Sequence, residues 1–135
     1  MKFVMALAGL ALAACAATQA PHDTPHASDT CILLSLGKDA GLHAPLPDSL
    51  KATLDRIGMQ SLPPPTYQCG DVSYQTDPRQ RGVTFTGVGF SADHRYAAVR
   101  LQVVAAPMAG QGDTCLFEAA DQNWTLRGCR MDWIS

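Results

Sequence analysis

The chain has 135 residues, 47% of them hydrophobic and 16% charged, with a formal net charge of −2 at pH 7. That length sets a single domain. The charge is spread without a Lys/Arg cluster, which argues against a nucleic-acid partner and against electrostatic attraction to anionic lipid.

From the N-terminus, Lys2 supplies a positive charge, Phe3 to Leu12 form an uncharged apolar stretch, and small residues follow. This is the layout of a secretory signal peptide. The stretch is far shorter than the ~20 apolar residues that a transmembrane helix needs. An ordinary signal peptide would be cut after Ala16 or Ala20 and leave Cys15 incidental. However, Leu12-Ala13-Ala14-Cys15 resembles the lipobox of bacterial lipoproteins. The resemblance implies removal of residues 1–14, diacylation of the Cys15 sulfur and acylation of its new amino group. It also implies an outer-membrane protein facing the periplasm, because Ala16 stands where an inner-membrane lipoprotein has Asp. Several acyl chains anchor stably where one is marginal. The resemblance covers residues 1–16 and says nothing of the domain behind them.

Residues 15–28 read as a lipidated flexible tether, with two prolines and no large apolar side chain. His22 and His26 are four apart, but Pro25 between them argues against the helix that would bring them to one metal. A single globular domain is expected over 29–135. Cys31 to Leu36 is a short apolar run that leans towards helix and ends at Gly37. Ala44 to Pro47 is a connector. Asp48 or Ser49 then caps a helix to about Ile57. Leu50, Leu54 and Ile57 form its buried stripe, Lys51, Asp55 and Arg56 stay wet, and Gly58 ends it. Leu62-Pro63-Pro64-Pro65 predicts an extended polyproline connector.

Strands follow. Val72 to Tyr74 is a short one. Val83 to Phe90 is another, in which Gly87 and Gly89 mark a bulge or a close backbone approach. Phe90 to Ala97 includes Ser91-Ala92-Asp93-His94-Arg95-Tyr96, which resembles the Ser-x-Asp-Gly-x-Tyr turn of propeller blades, with His94 in place of Gly. The likeness is one of turn chemistry, since the chain is too short for a propeller. Arg95 to Ala105 is the clearest strand, with Ala97, Val99, Leu101 and Val103 alternating against Tyr96, Arg100 and Gln102. Pro107 to Asp113 reads as a Gly-rich loop, and Trp133-Ile134 as a packed C-terminus.

Five cysteines are an odd number for a secreted protein. Assigning Cys15 to lipid leaves Cys31, Cys69, Cys115 and Cys129, an even set suited to two disulfides in an oxidising compartment. Leu116–Ala120 and Trp124–Met131 predict a hairpin centred on Gln122, in which Ala119 faces Thr125, Phe117 faces Arg127 and Cys115 faces Cys129. Opposed residues on antiparallel strands lie within bridging reach, which favours Cys115–Cys129 and leaves Cys31–Cys69. The four are too far apart for the knuckles of a zinc site. No metal or cofactor is expected.

These elements predict an α+β fold: one or two short N-terminal helices on a four- to five-stranded antiparallel meander, with two disulfides. No Gly-x-Ser-x-Gly, His-Glu-x-x-His or Walker frame is present, and Asp93-His94 falls in a turn, so an enzyme is not expected. Small disulfide-stapled lipoproteins of this build resemble, in format alone, the inhibitors and immunity proteins that protect bacteria from cell-wall hydrolases. That format implies a periplasm-facing binding protein with a protein partner in the envelope. Its docking loop would carry Met108, Gly110 and Gln111, with Met108 as the apolar anchor. The alternative is a structural accessory subunit of an envelope complex. A small-ligand carrier ranks third, because so small a domain leaves little room for a cavity.

Overall fold

The computed structural model describes residues 27–39, 44–106 and 108–135. The lipobox, His22, His26, His43 and the tether up to residue 26 lie outside them. The fold is α+β and mostly sheet, as the element order predicts. It comprises α1 (Ala27–Asp39), a 3-10 turn (Asp48–Leu50) running into α2 (Lys51–Asp55), and strands β1 (Gln60–Ser61), β2 (Thr66–Cys69) and β3 (Val72–Gln75). The long strands β4 (Gly82–Phe90), β5 (Tyr96–Ala106), β6 (Ala109–Ala120) and β7 (Asn123–Ile134) complete it.

The meander is antiparallel, in the order β1-β4-β5-β6-β7. β2 and β3 do not join it. They form a separate ribbon, a correction to the single meander expected from Tyr67 onward. One face of the large sheet presents Phe85, Val99, Leu101, Cys115 and Phe117, and Leu33 and Leu34 of α1 and Tyr74 of the ribbon cover it. Tyr74 meets Phe85 edge to face, ring centroids 5.6 Å apart. The opposite face carries Ala98 and Leu116, covered by Leu46, Leu54 and Ile57. β5 is therefore buried on both sides at its centre, and Ala98 is as inaccessible as Ala97 and Val99. Simple alternation could not have shown this.

α1 is longer than its apolar run at both ends, and Ala27 and Ser28, read as the end of the tether, are helical. Gly37 does not terminate it. A Cβ there would come within 3.2 Å of the Phe85 ring, so the missing side chain lets the helix lie close to the sheet. In the next segment neither Asp48 nor Ser49 caps a helix through its side chain. Asp48 instead pairs with Lys51 at 2.7 Å. The stripe itself is as read, with Leu54 and Ile57 buried. The proline run is not extended throughout, since the chain bends at Pro64 and Pro65 before β2.

Both disulfides form as expected: Cys31–Cys69 ties α1 to the ribbon, and Cys115–Cys129 joins β6 to β7 inside the core. The register that leads to the second differs from the one read from sequence. The turn has two central residues, Asp121 and Gln122, both at positive φ, as primed hairpin turns require. Ala119 therefore faces Trp124 and Phe117 faces Leu126. Arg127 is then an extra residue in β7, a bulge that restores Cys115 opposite Cys129.

Gly89 fulfils its expected role, since a Cβ there would lie 2.5 Å from the Gly58 carbonyl oxygen. Gly128 (φ +145°) faces a second close crossing. There Leu46 N donates to Cys129 O at 3.0 Å and Cys129 N to Ala44 O at 2.7 Å, strapping residues 44–46 along the edge of β7.

Candidate functional site

The stretch read as a docking loop is largely strand. β6 begins at Ala109, with Gly110 opposite Val104 and Gln111 opposite Val103 and Ile134. Of the residues named for docking, Met108 alone sits in the turn, where it is 86% exposed. Gly110 and Gln111 are corrected to strand positions. Trp133 supplies the reason, because its indole lies across Gly110 and Gly112. A Cβ on Gly110 would come within 3.1 Å of the ring, and one on Gly112 would overlap the ring nitrogen. An aromatic side chain on the neighbouring strand thus covers the backbone that two glycines leave bare. Trp133 is packed as expected on this side, yet it remains 42% exposed, and Ile134 stays exposed.

Beside Trp133, on the face that α2 only partly covers, lies a cleft of about 290 Å³ lined by Thr86, Arg100, Gln102, Gly112, Asp132 and Trp133. Arg100 and Gln102 come from the wet side of β5, as the alternation predicts. Thr86 and Asp132 are the extra residues of bulges in β4 and β7. Asp132 accepts a hydrogen bond from Thr114 Oγ1 at 2.6 Å and pairs with Arg130 at 3.3 Å. Arg130 reaches on to Asp55 at 2.6 Å and so fastens this corner to α2. Sequence reading missed Trp133, Thr86 and Asp132 as a group, since nothing local marks a bulge or the strand that a tryptophan faces.

On the other face, Asp113 is a buried carboxylate, 2% exposed, with both oxygens accepting from Gln111 Nε2 at 3.3 and 3.0 Å. Burial pushes its carboxyl above the usual range, and Gln111 only partly opposes this. The folded state therefore holds a proton on Asp113 in a pH window where the unfolded chain has lost it. Its contribution to stability is greatest at and below the ordinary carboxylate range and falls as pH rises through the raised value. Asp113→Asn, which keeps the Gln111 bond, is expected to raise the thermal midpoint by a few degrees at neutral pH, with the gain fading on acidification. Melting curves of both chains against pH check this, and a gain independent of pH would rule out titration as its cause.

The Ser91–Tyr96 turn has the chemistry its resemblance implies. Ser91 Oγ donates to Asp93 at 2.6 Å, Arg95 N donates to Asp93 at 3.1 Å, and Tyr96 N donates to Ser91 Oγ at 2.9 Å. The first two of these bonds, led by that from Ser91, hold the Asp93 carboxyl below its ordinary range. His94 takes φ +58°, the left-handed conformation that Gly adopts at lower cost. Its ring stacks on Phe90 at 5.9 Å.

Comparison with protein-family models, with curated proteins and with solved structures returned no match.

Proposed function

We propose that the chain is a lipid-anchored binding protein of the outer membrane, facing the periplasm, that docks onto an envelope hydrolase and inhibits it. The anchor rests on Leu12-Ala13-Ala14-Cys15. One observation supports docking above the others. Met108, Met131, Trp133 and Ile134 are all large, apolar and exposed and lie at the same end of the sheet, Met131 and Ile134 on one face and Trp133 on the other. Single surface hydrophobes need no explanation, whereas four at one end of so small a sheet favour contact with another macromolecule.

The placement of α1 agrees with this reading. Its first turn brings Asp29 to 3.5 Å from Trp124 Nε1, next to the β6–β7 turn and at the opposite end of the sheet. α1 thus enters the domain at the end away from the apolar one.

Cys15→Ala is expected to move the protein from the membrane pellet to the soluble fraction with its domain still folded. A variant that still pelleted would end the lipobox reading. Pull-down from detergent-solubilised envelope tests the rest. A secreted hydrolase captured by the parent chain and lost in Met108→Asp supports inhibition. Capture of a membrane assembly instead would favour the accessory-subunit role.

A further inference from the structure

Thr86 and Asp132 are extra residues in strands on opposite sides of β5 and β6, and both line the cleft beside Trp133. A bulge gives up ladder hydrogen bonds and re-aims a side chain, and for that reason bulges concentrate beside binding sites. Two of them converging on one cleft mark it as a built feature.

Its polar groups define a ligand. Asp132 shares Arg130, 3.3 Å away, with Asp55 and accepts from Thr114 on its other oxygen, and each oxygen keeps a further acceptor site. Arg100 has no ion-pair partner among the described residues. Unlike Arg130, Arg100 keeps its guanidinium donors open, in the fork geometry that suits a carboxylate. Gln102 donates its amide N–H to the Pro78 carbonyl at 2.6 Å, which fixes the amide and leaves its oxygen as an acceptor. Trp133 adds an aromatic wall whose negative π face attracts the C–H-rich face of a saturated ring. An aromatic acid would leave the acceptors unpaired. At about 290 Å³ the cleft holds one substituted ring rather than a long chain.

We propose that this cleft binds a saccharide unit bearing a carboxylate. The carboxylate pairs with Arg100, ring hydroxyls donate to Gln102 Oε1 and Asp132, and the ring face rests against Trp133. The site depends neither on the lipid anchor nor on a protein partner, so it can fail while the reading above stands, and the reverse.

The full chain, solubilised in detergent, is titrated with N-acetylmuramic acid and with N-acetylglucosamine, which has the same ring without the lactyl carboxylate. Calorimetry is read alongside tryptophan fluorescence, to which Trp124 and Trp133 alone contribute. The acidic sugar is expected to bind about tenfold more tightly than the neutral one, the worth of one charge-assisted hydrogen bond. That preference is expected to weaken with salt and to vanish in Arg100→Gln, whose exposed position spares the fold. Trp133→Phe, which keeps a ring over the glycines, is expected to weaken both sugars and abolish the spectral change. Equal binding of the two sugars, no binding of either, or a preference that survives Arg100→Gln would each overturn the proposal.

Discussion

Gly128→Ala is expected to cost roughly 3–5 kcal/mol, a large share of the about 5–15 kcal/mol that holds a domain of ordinary stability. The added methyl would meet Leu46 Cα at 2.6 Å and the Pro45 carbonyl oxygen at 2.7 Å. Both are backbone atoms of the strap along β7, so no rotamer change relieves the overlap. The φ of +145° adds strain for any residue with a side chain. If the strap is pushed away, the paired hydrogen bonds to Cys129 go with it. Leu46 then leaves the core it forms with Leu54, Ile57, Ala98 and Leu116. Gly58→Ala is the matched control, since a Cβ there meets nothing within 4 Å. It is expected to lie within about 0.5 kcal/mol of the parent. Urea unfolding of the three chains measures both values, and a Gly128→Ala variant as stable as Gly58→Ala would refute the close crossing.

Opening the Cys31–Cys69 bridge is expected to destabilise the domain by about 4 kcal/mol on chain-entropy grounds, because it closes a loop of 38 residues. The Cys115–Cys129 bridge spans 14 residues, for which the same reasoning gives about 3 kcal/mol. The two losses should also differ in where they appear. Cys115 and Cys129 lie opposite each other in a hairpin that the ladder continues to hold. By contrast, α1 has no backbone ladder to the sheet. Without its bridge it is kept by burial of side chains such as Leu33 and Leu34. The double variant Cys31→Ser/Cys69→Ser should therefore show faster amide exchange in α1 than in β5 and β6, together with a lower thermal midpoint. Uniform exchange at an unchanged midpoint would mean that the bridge is dispensable.

Much of this architecture was legible where the signal is local. Val99 and Leu101 alternate with Arg100 and Gln102, and Cys115 faces Cys129, as strand periodicity and hairpin symmetry require. The cysteine pairing was reached through a register one residue off near the turn, and the bulge at Arg127 cancelled the error. A bulge depends on how two strands pair over their length and leaves no mark in either alone. The same limit hid the cleft. Gly110-Gln111-Gly112 has loop composition, and it is held as strand by Trp133, more than twenty positions along the chain. Arg100 was correctly placed on the wet face, but the partners that make it part of a cleft arrive from β4 and β7.

The bulges have one more consequence, for how copies of this chain meet. Both rims of the large sheet offer unsatisfied backbone groups, and a long straight rim invites a second molecule to pair with it. On β4 the rim is occupied by β1 at Gly87 and Val88, and Leu62 N bonds to Thr86 O at the kink itself. On β7 the strap blocks Cys129, and the irregularity at Asp132, next to charged Arg130, interrupts what remains. Each rim is thus broken into short runs of pairing sites, so concentrated solutions of the folded protein should resist edge-to-edge polymerisation even with Met131 and Ile134 exposed.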